Sequence, residues 1–385
     1  MNLSPEIVAF AADMKRIRRD IHANPEIGFQ ETRTSDLVAQ MLSNWGIEVH
    51  RDIGETGLVG VIRGQSDGRR IGLRADMDAL PMQEATGLPY SSRNANAFHG
   101  CGHDGHTTML LGAARYFAST RRFSGEVIAI FQPAEEGLGG ARRMLSDGLF
   151  DRFPCDEIYG LHTWPNAPVG RISLKIGAAM AAADNFDIVV TGRGSHGAQP
   201  HYAIDPVMVA VSIAQALQTI VGRNLDPLKT AVLSITQIHT GSAHNVIPDT
   251  ARISGTIRTF DEATRDMIAQ RMTELAQSIA VGFGARSEVI LDPRFRVLIN
   301  SPVPSNAAIA IARDLVGPSM AEFDAEPLTG SEDFADMLQH VPGAYMLLGQ
   351  GLGPSLHNPQ FDFNDEVAPI GASLLARIAE ARTAA

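Results

Sequence analysis

Residues 4–23 carry Ile7, Phe10, Ala11, Met14 and Ile17 on one helical stripe, and Pro25 stops the pattern. A second helix is expected over residues 34–45, followed by short β-rich runs at 57–63 and 70–74. A helix over 105–117, a buried strand at 126–131 and an apolar run at 158–161 come next. From residue 184 the pattern changes. Strands at 185–191, 229–239, 250–259 and 287–291 alternate with helices at 205–221 and 262–283. That is β-α-β-β-α-β, the split βαβ order of a ferredoxin-like sandwich. Sheet-and-helix material resumes near Arg294. It comprises a helix from Asn306, a helix opened by residues 330–336, a buried strand at 344–348 and a last helix over 366–380. The middle segment therefore reads as an insertion, with hinges expected at 177–183 and 292–294.

The ends of the apolar runs are polar in a repeated way. Asp76 and Asp78 follow the run at 70–74, Glu135 and Glu136 follow 126–131, and His162 follows 158–161. In an open α/β sheet, ligand chemistry gathers at the carboxyl ends of the strands. Each residue also has a plainer explanation: a capping or turn aspartate, a solvated acidic turn, a core histidine. The stretch His99-Gly-Cys-Gly-His-Asp-Gly-His106 is too polar and loose for a core strand. Cys101 and His103 are metal-ligand types two residues apart, and glycines let the backbone fold tightly around an ion; a Gly-rich surface loop is the alternative. Within the insertion, His196 lies in a loop between strand and helix, and the pair His244-Asn245 joins two strands. Arg258, near a strand end, can bind a carboxylate bidentately or sit in an exposed ion pair.

Composition narrows the field. The chain has 385 residues, 44% apolar and 19% charged, enough for two cores. A net charge of −11 argues against nucleic acid or anionic membrane as a partner. No run approaches 18 uninterrupted apolar residues, so no membrane span is expected. Residues 1–12 lack the pattern of a signal peptide, which leaves a cytoplasmic location as the expectation. Cys101 and Cys155 are the only cysteines, too few for a disulfide framework in a chain of this size.

Five strings resemble, in order, the motifs of one family. They are Arg74-Ala-Asp76-Met-Asp78-Ala-Leu-Pro81, His99-Gly-Cys101-Gly-His103-Asp-Gly-His106, Gln132-Pro-Ala-Glu135-Glu136-Gly137, Gly194-Ser-His196-Gly-Ala and Gly330-Ser-Glu-Asp333-Phe. The family is the aminoacylase/hippurate hydrolase group of metal-dependent amidohydrolases, related to plant auxin–amino-acid conjugate hydrolases and carboxypeptidase G. The resemblance implies an α/β, zinc-exopeptidase-like catalytic domain over residues 1–182 and 293–385, with a mixed, largely parallel sheet flanked by helices. An inserted ferredoxin-like βαββαβ lid and dimerisation domain would cover 183–292.

By the same resemblance Cys101, His103, Glu136, His162 and His357 are the metal ligands, for one or two divalent ions (zinc, manganese, cobalt or nickel). Glu135 is then the general base, and Asp76 steadies a metal-ligating group. His196 is the lid histidine that approaches the substrate carbonyl, in relatives often from the partner subunit. Asn245, Arg258 and Gly330 help hold the substrate's carboxylate end. One departure stands out: Arg74 occupies the place of a ligand histidine in exopeptidase relatives, and Cys101 and His103 take over ligation as in the amidohydrolase branch. The implied activity is hydrolysis of an N-acyl amino acid to a carboxylic acid and a free amino acid. A deacetylase of N-acetylated diamino acids or a dipeptidase is the alternative within the class, and a non-catalytic metal- or ligand-binding protein the alternative outside it. A homodimer or higher homo-oligomer through the lid domain is expected.

Overall fold

The computed structural model describes residues 1–384. The chain forms two compact units: Met1–Ala179, Leu298–Glu326 and Glu332–Ala385 make the first, and Met180–Val297 with Pro327–Ser331 make the second.

The first unit is built on an eight-stranded mixed sheet. Four adjacent strands, Glu126–Gln132, Arg70–Asp76, Glu157–Trp164 and Gly343–Gly349, run parallel. Beyond Glu126–Gln132 the strands Leu58–Arg63 and Glu48–Arg51 continue antiparallel, and the short strands Ile172–Ser173 and Ala321–Glu322 close the other side. The central strands are buried along almost their whole length. This is why they read as continuous apolar runs rather than alternating ones. Helices Ala11–Ala23, His103–Thr120 and Ala368–Thr383 supply Met14, Ile17, Leu110, Leu111, Phe117, Leu374 and Ile378 to the same core as Ile71, Leu73 and Phe131.

Several helices begin elsewhere than the pattern suggested; the one expected from Asn306 starts at Pro302, and the one expected to open over 330–336 starts at Phe334. The expected helix over 4–23 is broken at Phe10, between Pro5–Ala9 and Ala11–Ala23; Phe10 packs edge-on against Trp45 at 5.9 Å. The helix expected from residue 105 starts at His103, so a predicted ligand is its first residue.

The second unit is a four-stranded antiparallel sheet in the order Ala231–Thr240, Thr250–Thr259, Ala182–Thr191, Arg286–Phe295. Helices Pro206–Thr219 and Glu262–Gly282 are capped by the side chains of Asp205 and Asp261 and bury Val209, Ile213, Ile268 and Met272 against Phe186, Ile188 and Ile253. By composition the stretch Pro206–Asn224 is apolar enough to cross a membrane, but its stripe of Val209, Ile213, Leu217 and Ile220 belongs to this core. The boundaries differ from the expected 183–292. Ala183 pairs with Phe295 and Asp184 with Pro293, so the segment 292–294 expected as a hinge lies inside a strand. Gly330, expected in the catalytic domain, belongs to the second unit, because the Ala181 N–H donates to the carbonyls of Leu328 and Gly330, both at 3.0 Å.

Candidate metal centre

The four parallel strands deliver their carboxyl ends to one edge of the first unit's sheet. Arg70–Asp76 runs out into Asp78, Glu126–Gln132 into Glu135 and Glu136, and Glu157–Trp164 carries His162 near its end. After Gly343–Gly349 the chain loops to His357, whose N–H donates to the Gly100 carbonyl at 2.8 Å, tying the last predicted ligand to the His99–His106 stretch. Gly102, at φ +90°, takes the left-handed conformation that turns the chain into the helix starting at His103. Two non-glycine residues beside the cluster share that region, Ala134 at φ 54° and His357 at φ 62°. Each costs about 1–2 kcal/mol that the surrounding contacts must offset.

All five predicted ligands come together. The donor atoms of Cys101, His103 and His162 lie within 4.8 Å of one another, as do those of Cys101, Glu136 and His357, and of His103, Glu135 and Glu136. His162 Nε2 stands 3.4 Å from Cys101 Sγ, and His357 Nε2 is 3.3 Å from Glu136 Oε1. His103 Nε2 is 4.0 Å from Glu136 Oε1. Two donors about 2.1 Å from a common ion at a tetrahedral angle stand roughly 3.4 Å apart, so these spacings suit shared coordination. Cys101, His103, Glu135 and His162 are buried, whereas the His357 side chain is 53% exposed.

Hydrogen bonds set which lone pairs face the cluster. His162 donates from Nδ1 to the Thr163 carbonyl at 2.6 Å, leaving the Nε2 lone pair toward Cys101. His103 meets Asp78 through Nδ1 at 3.2 Å, leaving Nε2 without a partner. Glu136 Oε1 is likewise buried and accepts no hydrogen bond among the described residues, with the imidazoles of His357 and His103 within 4.0 Å. Burial pushes the His103 imidazole down, but Asp76, Asp78 and Glu136 outweigh it and raise it to about 10. Burial, then Glu136, Glu135 and Asp76, push the Cys101 thiol well above its usual range. Burial, then Glu332, Glu136, Asp333 and Asp78, push Glu135 well above the ordinary carboxylate range. Orphaned imidazole and carboxylate donors, a buried thiol and an excess of carboxylates are what a divalent cation satisfies. The donor set fits the implied metal.

The carboxylate that orients His103 is Asp78 rather than Asp76. Asp78 Oδ2 also accepts from the Glu136 N–H at 3.0 Å, so one side chain holds two predicted ligands. The expectation that Asp76 steadies a ligating group is corrected accordingly. Asp76 Oδ1 takes the Nδ1 proton of His106 at 2.7 Å, while His106 Nε2 accepts from the Thr163 N–H at 2.9 Å. Both nitrogens of His106 are thus spent on structure. Asp76 Oδ2 accepts from Arg74 Nη1 at 2.7 Å and comes no closer than 3.8 Å to His103 Nε2.

Arg74 is the hub beneath the site. Besides Asp76 it donates to Gln132 Oε1 at 2.8 Å, Glu332 Oε1 at 2.9 Å and Asp333 Oδ1 at 3.2 Å. Tyr345 donates to the other Glu332 oxygen, and Asp333 accepts from Gln132 Nε2 and the Ala141 N–H. Sequence reasoning weighed Asp78 as one of two strand-end acids without assigning it a role, and missed the parts played by Arg74, His106, Glu332 and Asp333; all five stand inside the motif strings, which was the available signal.

The other predicted residues lie on the second unit. His196 forms a two-residue strand with Ser195 that pairs with Val246–Ile247; its Nδ1 accepts from the Ala198 N–H at 3.0 Å, leaving a proton on Nε2 of the neutral ring. The Asn245 carbonyl accepts from the Gly197 N–H at 2.7 Å. Arg258 is half-buried, and burial lowers its proton affinity. Its Nη1 donates to Thr256 Oγ1 at 2.5 Å and the Ile257 carbonyl at 3.1 Å, while the nearby carboxylate of Asp184 is taken by Arg265. Gly330 contributes its carbonyl to Ala181, and a Cβ there would meet only Met180 Cε at 3.5 Å.

A buried thiol–imidazole–carboxylate cluster at the carboxyl edge of a parallel sheet, with a spare glutamate beside it, defines the class: a metallohydrolase. The sequence profile of peptidase family M20/M25/M40 matches residues 72–381. A hippurate hydrolase of Campylobacter jejuni is 43% identical over 379 residues, 98% of this chain and 99% of that protein. An N-acetyl-L-cysteine deacetylase of Bacillus subtilis is 39% identical over 359 residues, 93% of this chain and 85% of that protein. The crystal structure of the Bacillus subtilis YXEP protein, described as a dinuclear metal-binding peptidase of the M20 family, superposes with a TM-score of 0.86 at 35% identity; the match covers 98% of this chain and 99% of that one. The chain belongs to the M20/M25/M40 family and is a metal-dependent amidohydrolase.

Proposed function

We propose that the enzyme hydrolyses the amide bond of small N-acyl amino acids of the hippurate and N-acetyl type, releasing a carboxylic acid and a free amino acid. The observation that carries this reading is the pair at the end of strand Glu126–Gln132. Glu136 joins the donors Cys101, His103, His162 and His357, while its neighbour Glu135 lies within the same reach as a carboxylate to spare. A storage site needs ligands; it does not need a further carboxylate beside them.

In this assignment Cys101, His103, Glu136, His162 and His357 hold one or two divalent ions. The mixed sulfur, nitrogen and oxygen set suits zinc, manganese, cobalt or nickel. When bound, such an ion acidifies water and offsets the charge that develops on the amide oxygen. Glu135 takes a proton from the attacking water and returns it to the departing amine. Asp78 keeps His103 and the Glu136 backbone in place throughout. His196, with its Nε2 proton, is assigned to the developing oxyanion. Arg258, with no carboxylate in ion-pair distance among the described residues, is assigned with Asn245 and the Gly330 backbone to the substrate's carboxylate. The strand Ala231–Thr240 is an edge of its sheet and exposes Val232 and Ile238, which supports a homodimer through the second unit, tested by light scattering on the purified protein.

The test is metal analysis of the purified protein beside hydrolysis of hippurate, several N-acetyl amino acids and a dipeptide, before and after chelation. Loss of metal and of hydrolysis together, restored by adding a divalent salt, is the expected result. Full metal loading with no amide cleaved, or undiminished cleavage by metal-free protein, overturns the reading.

A further inference from the structure

We infer that Glu31 is a positioning residue for the general base: its buried carboxylate holds the turn of Pro133, Ala134 and Glu135 in the conformation that brings the Glu135 carboxylate to the cluster. The inference rests on the assignment of Glu135 as proton acceptor.

Glu31 is fully buried, and both of its oxygens are engaged. One accepts from the Ala134 N–H at 2.8 Å, across 103 residues of sequence; the other accepts from Thr56 Oγ1 at 2.6 Å. Ala134 itself is buried and sits at φ 54°, a conformation an alanine does not choose unaided. That single left-handed residue, between strand end and paired acids, redirects the chain before Glu135. Hydrogen bonds hold the turn along its length: Glu31 on the Ala134 N–H, the Gly140 N–H on the Ala134 carbonyl at 3.0 Å, Gln132 Nε2 on the Pro133 carbonyl at 3.3 Å, the Gly137 N–H on the Glu135 carbonyl at 2.6 Å, and Asp78 on the Glu136 N–H.

The surrounding backbone is shaped to the same turn. A Cβ on Gly28 would stand 2.9 Å from Ala134 Cβ, and one on Gly140 would stand 1.7 Å from the Pro133 carbonyl oxygen. Remove the Glu31 carboxylate and a buried N–H loses its acceptor at the residue least able to hold its own conformation. Glutamine can keep the acceptor oxygen toward Ala134 and donate its amide to the Thr56 hydroxyl. Alanine can do neither.

The test compares wild type, Glu31→Gln and Glu31→Ala on hippurate, with metal content and amide hydrogen exchange measured on the same preparations. For Glu31→Ala a ten- to hundredfold fall in kcat is expected, with KM within twofold and metal content unchanged. The peptide containing Ala134 should exchange faster than in wild type. Glu31→Gln should stay within threefold of wild-type kcat and keep the exchange protection. A wild-type kcat in Glu31→Ala, a change confined to KM, or unaltered exchange at Ala134 overturns the inference. If Glu31→Ala does not fold, Thr56→Val carries the test: a two- to fivefold loss of kcat with faster exchange at Ala134 supports it, and no change in either overturns it. If wild type cleaves no amide, the functional reading falls, and the exchange comparison alone decides the positioning claim.

Discussion

Replacing Arg74 with methionine keeps an unbranched apolar stem but removes the guanidinium, and with it the charge, from a site where it bonds Asp76, Gln132, Glu332 and Asp333. Arg74 is 2% exposed and supports Asp76, Glu332 and Asp333 while also bonding Gln132. Removing one partner of a buried ion pair costs about 3–5 kcal/mol, because the other charge is left uncompensated. Here each carboxylate retains a second donor: His106 for Asp76, Tyr345 and the Phe334 N–H for Glu332, Gln132 and the Ala141 N–H for Asp333. The low end of the range therefore applies, about 3 kcal/mol, or roughly 150-fold in the folding equilibrium.

The assay is urea unfolding followed by tryptophan fluorescence, since both tryptophans, Trp45 and Trp164, lie in the first unit and report on it alone. A pH signature accompanies the loss. Without the guanidinium, the buried carboxylates in the folded variant hold protons more tightly than in the unfolded chain. The folded variant then binds more protons, and its deficit should shrink as pH falls from 8 to 5. Adding Glu332→Gln to the variant should restore part of the stability. An unchanged urea midpoint, or a deficit that does not narrow with falling pH, refutes this account of the hub.

Three further outcomes are expected. Glu135→Gln should lower kcat by about 10²–10⁴ with metal content unchanged by elemental analysis, and a rate near wild type removes Glu135 from the mechanism. Asp78→Asn should weaken metal retention by about 10–100-fold in a chelator competition, because the group that holds His103 and Glu136 is altered; retention equal to wild type rules out that role. Glu157, buried but bonded by Arg382, Tyr159 and Arg69, is lowered to about 2 from its usual 4.5. Its folded pKa is depressed, so its contribution is present above pH 4.5 and lost as pH falls toward 2. Thermal unfolding between pH 6 and 3 should show Glu157→Gln flattening the acid decline, and a slope equal to wild type counts against it.

The amino-acid sequence by itself determined the elements and the chemical inventory. Continuous apolar runs announced the buried parallel strands, and the polar residues at or beyond their ends included Glu136 and His162, with Cys101 and His103 in the Gly-rich stretch; His357 was supplied by the resemblance alone. Local pattern carries that much because burial, backbone conformation and strand ends are properties of short segments. Only the tertiary structure decided the pairings. It put Asp78 rather than Asp76 on His103, and spent both nitrogens of His106 on Asp76 and the Thr163 N–H. It joined Arg74 to Glu332 across 258 residues, set Glu31 against Ala134, and moved Gly330 into the second unit. Which carboxylate meets which imidazole depends on where strands far apart in sequence stop along a common edge, and on how the chain turns once it has left the strand, as it does between Asp76 and Asp78.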